Sequence, residues 1–146
     1  ANAARYAQLF ASCGLDRTLE LPTEAPGRRH VWNQYIVRVP DGRRDALRAH
    51  LTECKIGSEI YYPVPLHEQE CFAELDCDPA TLIESERAAR ETMALPIFPG
   101  LRVEEQEAVV RGIAAFFGKT ARPQANAVAA PKFLRTPATR DADARR

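Results

Sequence analysis

One short stretch does most to limit what this chain can fold into: Gly57-Ser58-Glu59-Ile60-Tyr61-Tyr62-Pro63-Val64-Pro65-Leu66-His67. It reads as a strand up to two tyrosines, is stopped by a pair of prolines, and a histidine follows at once. Proline has no amide donor and fixes its own φ, so Pro63 and Pro65 end any sheet ladder and hold their neighbours extended. Two phenol hydroxyls and an imidazole are therefore expected on a stiff, exposed loop at the end of a strand. Rigid presentation of polar groups at the edge of an element suits a binding site. Strand alternation sends Tyr61 and Tyr62 to opposite faces, so at most one of them belongs in a core. The plainer alternative is that one tyrosine packs on the core and the other closes the loop.

The rest of the chain is read around that loop. Ala3, Ala4, Tyr6, Ala7, Leu9 and Phe10 form an apolar stripe at helical spacing, with Gly14 as a natural stop. This helix begins without a capping residue, which predicts that it is cut from a longer chain. Leu15 to Arg29 is an extended connector punctuated by Pro22, Pro26 and Gly27. His30 to Val39 is the strongest strand, with Val31, Tyr35, Val37 and Val39 alternating with Trp32, Gln34, Ile36 and Arg38 before Pro40-Asp41-Gly42 ends it.

Arg44 to Cys54 then reads as an amphipathic helix with Ala46, Leu47, His50, Leu51 and Cys54 on one side. The second strand runs from Ile56 to Tyr62, and Glu68 to Leu75 is a helical turn. Pro79 to Met93 is a helix with Leu82, Ile83, Ala88, Ala89 and Met93 facing inward. Leu95 to Phe98 is a short third strand, and the last helix carries Val109, Val110, Ile113 and Phe117 on its buried stripe. That order predicts an α+β domain: a small three-stranded sheet with helices packed mainly on one face. A core of this size leaves such a domain marginal when it stands alone.

Formal charge is zero, with 20 Lys+Arg against 20 Asp+Glu, so nothing points to nucleic acid or a membrane surface as a partner. No apolar run approaches a membrane span. Seven basic and two acidic residues fall from Lys119 onward. Thr120 to Arg146 has no apolar period and is expected to be a disordered basic tail. Cys13, Cys54, Cys71 and Cys77 show no paired spacing and read best as buried free thiols of a cytoplasmic protein. His67, Cys71 and Cys77 fit no closed zinc site, so no metal centre is read from them.

Further polar candidates lie in and around the first strand. Asn33 and Gln34 fall in mid-strand, where a buried amide must bond backbone or ligand. His30 is either a ligand contact or a strand-entry histidine bonded to nearby backbone. Arg28-Arg29 and Arg43-Arg44 suit a diphosphate electrostatically, although arginines at such turns are usually solvated. Glu84, Glu86 and Glu91 with Arg87 and Arg90 form an ordinary charged helix face, not an acid/base dyad.

Several blocks, in this order, resemble the DegT/StrS family of sugar aminotransferases. His30-Val31-Trp32-Asn33-Gln34-Tyr35-Ile36-Val37-Arg38 is similar to the family's "H.(Y/W)NQY.(I/V)R" strand, and Arg44-Asp45-Ala46-Leu47 to its helix start. Ile56-Gly57 matches a turn, and Ala94-Leu95-Pro96-Ile97-Phe98-Pro99 matches "aLPifP". Glu105-Gln106 with Val109-Val110 resembles the closing helix. Tyr62, Pro63, Pro65, Leu66 and His67 match "HYP.PLH", with Tyr61 where many members have histidine.

The resemblance implies the C-terminal small domain of a pyridoxal-phosphate enzyme that moves an amino group, usually from glutamate, to a nucleotide-linked keto-sugar. It places Tyr61, Tyr62 and His67 on the sugar-nucleotide pocket, with Asn33, Gln34 and His30 as further contacts, and it implies a homodimer. Residues 1–14 would end a linking helix, 15–119 form the small domain, and 120–146 the tail. In the family the Schiff-base lysine belongs to a larger N-terminal part. The lysines here, Lys55, Lys119 and Lys132, stand at helix ends and in the tail, so this chain is not expected to hold the cofactor or transaminate alone. The rival reading is a non-catalytic, truncated binding or regulatory module.

Overall fold

The computed structural model describes residues 1–75 and 78–119. Cys77 and the basic tail, with the expectations attached to them, lie outside the described residues. The fold is α+β. Among the described residues, four α-helices accompany a two-stranded antiparallel sheet: α1 (Asn2–Ser12), α2 (Arg44–Glu53), α3 (Ile83–Glu91) and α4 (Val103–Phe116), with β1 (Tyr35–Arg38) and β2 (Thr92–Leu95). Tyr35 faces Leu95 across the ladder and Arg38 faces Thr92.

Local pattern explains the helices. In α1 Ala3, Tyr6 and Phe10 are buried, whereas Ala4 and Ala7, read as part of the stripe, are exposed; Gly14 follows the helix at φ +64, a conformation that costs glycine little. In α2 it is Leu47 and Leu51 that reach the core. Ala46 and Cys54, read as inward-facing, are exposed. In α4 Gln106, Val109, Val110 and Ile113 are buried. Phe117, read as part of that stripe, caps the helix end half-buried. The α4 start is held by Glu105, whose carboxylate accepts from the Arg102 amide and guanidinium, both at 2.9 Å. Those bonds hold the Glu105 carboxyl below the usual carboxylate range.

The sheet differs from the expected three strands. The first strand covers only Tyr35–Arg38, because Val31 is 78% exposed and Trp32 takes φ +56. The segment read as the second strand reaches the sheet at one residue, Glu59, which exchanges backbone bonds with Ala94 at 2.7 and 3.1 Å. The expected third strand is displaced towards the N-terminus. Thr92 and Met93, assigned to the preceding helix, pair with β1, while Pro96 has no donor to continue the ladder. A contribution that the sequence reading missed comes from the connector, where Glu20 pairs with Arg38 on the opposite edge. Four extended segments therefore meet, two of them through single residues.

Tyr35, Val37 and Val39 turn one side of β1 into a core shared with α1, α2 and α4. Two polar groups inside it are structural. Gln106, fully buried, donates to the Asn2 carbonyl at 3.0 Å and accepts from Arg5 at 2.8 Å, joining α1 to α4. Arg44, read as a phosphate-suited or solvated turn residue, is instead buried at 8% exposure. Its Nη1 donates to the carbonyls of Ala89 and Thr92 at 2.9 and 3.0 Å, filling acceptors left open where α3 gives way to β2.

Candidate functional site

Pro65 is extended (ψ 153°), and the chain then tightens into a 3₁₀ turn at Leu66–Glu68, with a second at Glu70–Leu75. This loop stands away from α3, and the space between them is a cleft of about 730 Å³. Tyr61, Tyr62, Val64, Pro65, Leu66 and His67 line one side of it, and Leu82, Ser85, Ala88 and Ala89 line the other. The α3 side is floored by small side chains spaced three and four residues apart, which lets the cleft extend down to the helix.

Both tyrosines are open, Tyr61 at 44% and Tyr62 at 75% exposure, with ring centroids 6.4 Å apart and edge-on. The expectation that alternation sends them to opposite faces is overturned. The ladder ends at Glu59, so period-2 geometry does not carry to residues 61 and 62, and both line the same cleft. Neither serves as a core residue.

His67 is placed differently. It lines the cleft, but its side chain is only 9% exposed, and its Nε2 is buried with no hydrogen-bond partner among the described residues. Glu86 Oε1 lies 3.6 Å from that nitrogen, near enough for charge attraction but too far for a hydrogen bond. The other Glu86 oxygen accepts from Arg90 at 3.3 Å. Ser85, which lines the cleft, and Glu86, which lies beside His67, were not read as cleft candidates from the sequence. The signal for Ser85 was present in the stripe Leu82, Ser85, Ala88, Ala89 at helical spacing, whose alanines read as ordinary core.

The other candidates do not join this cleft. His30 Nδ1 accepts from the Trp32 amide at 2.9 Å, and its ring stacks on Trp32 at 3.9 Å. Asn33 and Gln34 precede the strand and are exposed, so the argument from a buried amide does not apply to them. Asn33 lines a separate cleft of about 720 Å³ beside Trp32, Ile97 and Phe98.

The acidic face of α3 is paired as expected, Arg87 with Glu91 at 3.1 Å and Arg90 with Glu86 at 3.3 Å. Arg38 joins it, lying 3.7 to 3.8 Å from Glu20, Glu84 and Glu91. Burial does not explain the cysteines: Cys13 is half-buried against the core, and Cys54 and Cys71 are exposed.

A pyridoxal cofactor requires an enclosed lysine amine for its Schiff base. Lys55 and Lys119 are exposed and neither lines the cleft, and Lys132 lies outside the described residues. The residues described here do not fit that group. No helix among them is long and apolar enough to cross a membrane.

Comparison with known proteins identifies relatives of the chain. Residues 1–114 match the model of the DegT/DnrJ/EryC1/StrS aminotransferase family. The chain is 43% identical over 116 residues to a pleiotropic regulatory protein of Geobacillus stearothermophilus, covering 80% of this chain and 30% of that protein. It is 35% identical over 95 residues to the dTDP-3-amino-3,6-dideoxy-alpha-D-galactopyranose transaminase of Aneurinibacillus thermoaerophilus, covering 65% and 25%. Its fold superposes with TM-score 0.69 and 29% identity on a crystal structure of an aminotransferase of the same family from Brucella abortus, covering 80% of this chain and 30% of that one. The chain thus spans about 25% to 30% of the length of these relatives.

Proposed function

The chain belongs to the DegT/DnrJ/EryC1/StrS aminotransferase family, and from that premise we propose that it is the C-terminal small domain of a nucleotide-sugar aminotransferase. The observation that carries this reading is the meeting of Tyr61, Tyr62 and His67 on one open cleft in a chain whose relatives include a dTDP-sugar and a UDP-sugar aminotransferase. The parent enzyme transfers an amino group, with glutamate as donor, to a keto-sugar carried on a nucleotide. Pyridoxal phosphate is held by the remainder of the parent, since no lysine lines this cleft, and the whole enzyme works as a cytoplasmic homodimer.

This domain's share is to bind and orient. The Tyr61 and Tyr62 hydroxyls can each donate to and accept from sugar hydroxyls or phosphate oxygens. Their rings and the apolar floor exclude water from one side of the sugar. His67 Nε2 is turned to Glu86, which leaves its Nδ1 or ring edge as the surface offered to a ligand.

Nuclear magnetic resonance of the 146-residue chain titrated with a thymidine- or uridine-diphosphate hexose tests the reading. Shifts should concentrate on Tyr61, Tyr62, His67 and Ser85. Shifts centred instead on Trp32 and Asn33, or none at saturating ligand, would refute it.

A further inference from the structure

Beside the cleft, around His67, lies a cluster of another chemical kind. His67, Glu68 and Glu86 each bring one ligand atom to within 4.8 Å of the other two. Carboxylates gathered on a surface mean little alone. Here the third member is an imidazole whose side chain is nine-tenths buried, and whose Nε2 is aimed at Glu86 without a hydrogen-bond partner among the described residues. A buried polar atom left in that condition costs free energy unless something satisfies it.

We propose that His67, Glu68 and Glu86 bind a divalent transition-metal ion beside the cleft, at the edge His67 forms. Bonds of about 2.1 Å to nitrogen and oxygen set neighbouring ligands of one ion about 3 to 3.5 Å apart. His67 Nε2 and Glu86 Oε1, 3.6 Å apart, are near that separation already. Glu68 is exposed and closes the remaining distance by turning about its own side-chain bonds. Arg90, the cation on Glu86, uses the other carboxylate oxygen and is itself 65% exposed, so it leaves Oε1 to the ion. One imidazole and two carboxylates form a borderline-hard set that suits Mn²⁺, Co²⁺ or Zn²⁺ and leaves positions open for water. The site stands independently of the sugar-nucleotide reading, because metal binding is measured with no sugar present.

Titration of the 146-residue chain with Co²⁺, followed by visible absorption, tests the site. The expected result is one equivalent bound with the weak bands of nitrogen and oxygen ligation, displaced by Zn²⁺. Binding should weaken by at least about tenfold in Glu86→Gln and His67→Gln, the scale set by loss of even an outer partner of a metal ligand. If His67→Gln fails to fold by circular dichroism, the exposed Glu68→Gln variant gives the same measurement. Three outcomes overturn the proposal: undiminished binding in these variants, an intense thiolate charge-transfer band lost on Cys71→Ser or Cys77→Ser, or no binding at all. In the last case His67 and Glu86 are simply packed neighbours.

Discussion

Tyr6 and Tyr35 bring their rings to 4.9 Å in the core, yet only one of the two hydroxyls is satisfied. Tyr6 donates to the Pro96 carbonyl at 2.9 Å, whereas the Tyr35 hydroxyl is buried with no partner among the described residues. Phenylalanine should therefore act oppositely at the two positions. Tyr35→Phe should leave stability unchanged or raise it by about 1 kcal/mol, and Tyr6→Phe should lower it by about 1 kcal/mol by stranding the carbonyl. Urea denaturation at neutral pH measures both, and the reverse order would contradict the geometry.

The same pair sets the alkaline limit. Burial pushes Tyr35 up to about 12 from its ordinary 10.0, and Tyr6 is raised too, by burial first and then by the charges of Tyr35 and Glu105. Above pH 10 the unfolded chain gives up these protons while the folded chain keeps them. This contribution is thus fully present below pH 10 and is lost as pH rises from 10 towards 12. Urea midpoints on either side of pH 10 should show the fall, and Tyr35→Phe should make it shallower.

Arg44 fastens the junction of α3 and β2 from the start of α2. Arg44→Met keeps the buried stem and removes the charged donor, at an expected cost of about 2 to 3 kcal/mol. Arg44→Lys should recover only part, because a single ammonium cannot reproduce the fixed donor fork. A solvated arginine would show almost no effect in the same denaturation measurement.

Gly112 lets α4 approach α2. A Cβ there would stand 3.1 Å from Ile56 Cδ1 and 3.2 Å from Leu51 Cδ2, a contact those side-chain ends can relieve by small shifts. Gly112→Ala should be close to neutral, with helix propensity of about 1 kcal/mol offsetting the crowding. Gly112→Val overfills the gap and should cost about 1 to 3 kcal/mol, read as a lower melting temperature.

Tyr62, with three quarters of its surface exposed, should tolerate Tyr62→Phe within about 0.5 kcal/mol of stability. If its hydroxyl meets the sugar nucleotide, the same change should weaken ligand binding by about 0.5 to 1.5 kcal/mol. Calorimetric titration separates the two effects. A loss of stability with unchanged binding would make Tyr62 a structural residue.

Much of the site was visible in the residues that form it. Tyr61, Tyr62 and His67 do share a cleft, although the pairing stops at Glu59, earlier than Pro63 and Pro65 suggested. Asn33 and Gln34 misled because a hydrophobic alternation beginning at Val31 reads as strand, whereas the chain bends at Trp32 and pairs only from Tyr35. Thr92 and Met93 continue a helical period, yet they pair with Arg38 and Val37. Periodicity alone could not show that the Arg44 guanidinium would fill carbonyls at that junction.

The sequence by itself determined that Tyr6, Phe10, Leu47, Leu51, Val109, Val110 and Ile113 face inward, and that a glycine turn follows α1. Each depends on atoms a few residues apart, so local spacing contains the answer. Tertiary structure alone decided that Glu20 and Glu59 would bracket the sheet through one residue apiece, and that His67 would turn its Nε2 towards Glu86. Those contacts join distant parts of the chain, where register is set by how the core closes and not by any repeat in the residues themselves.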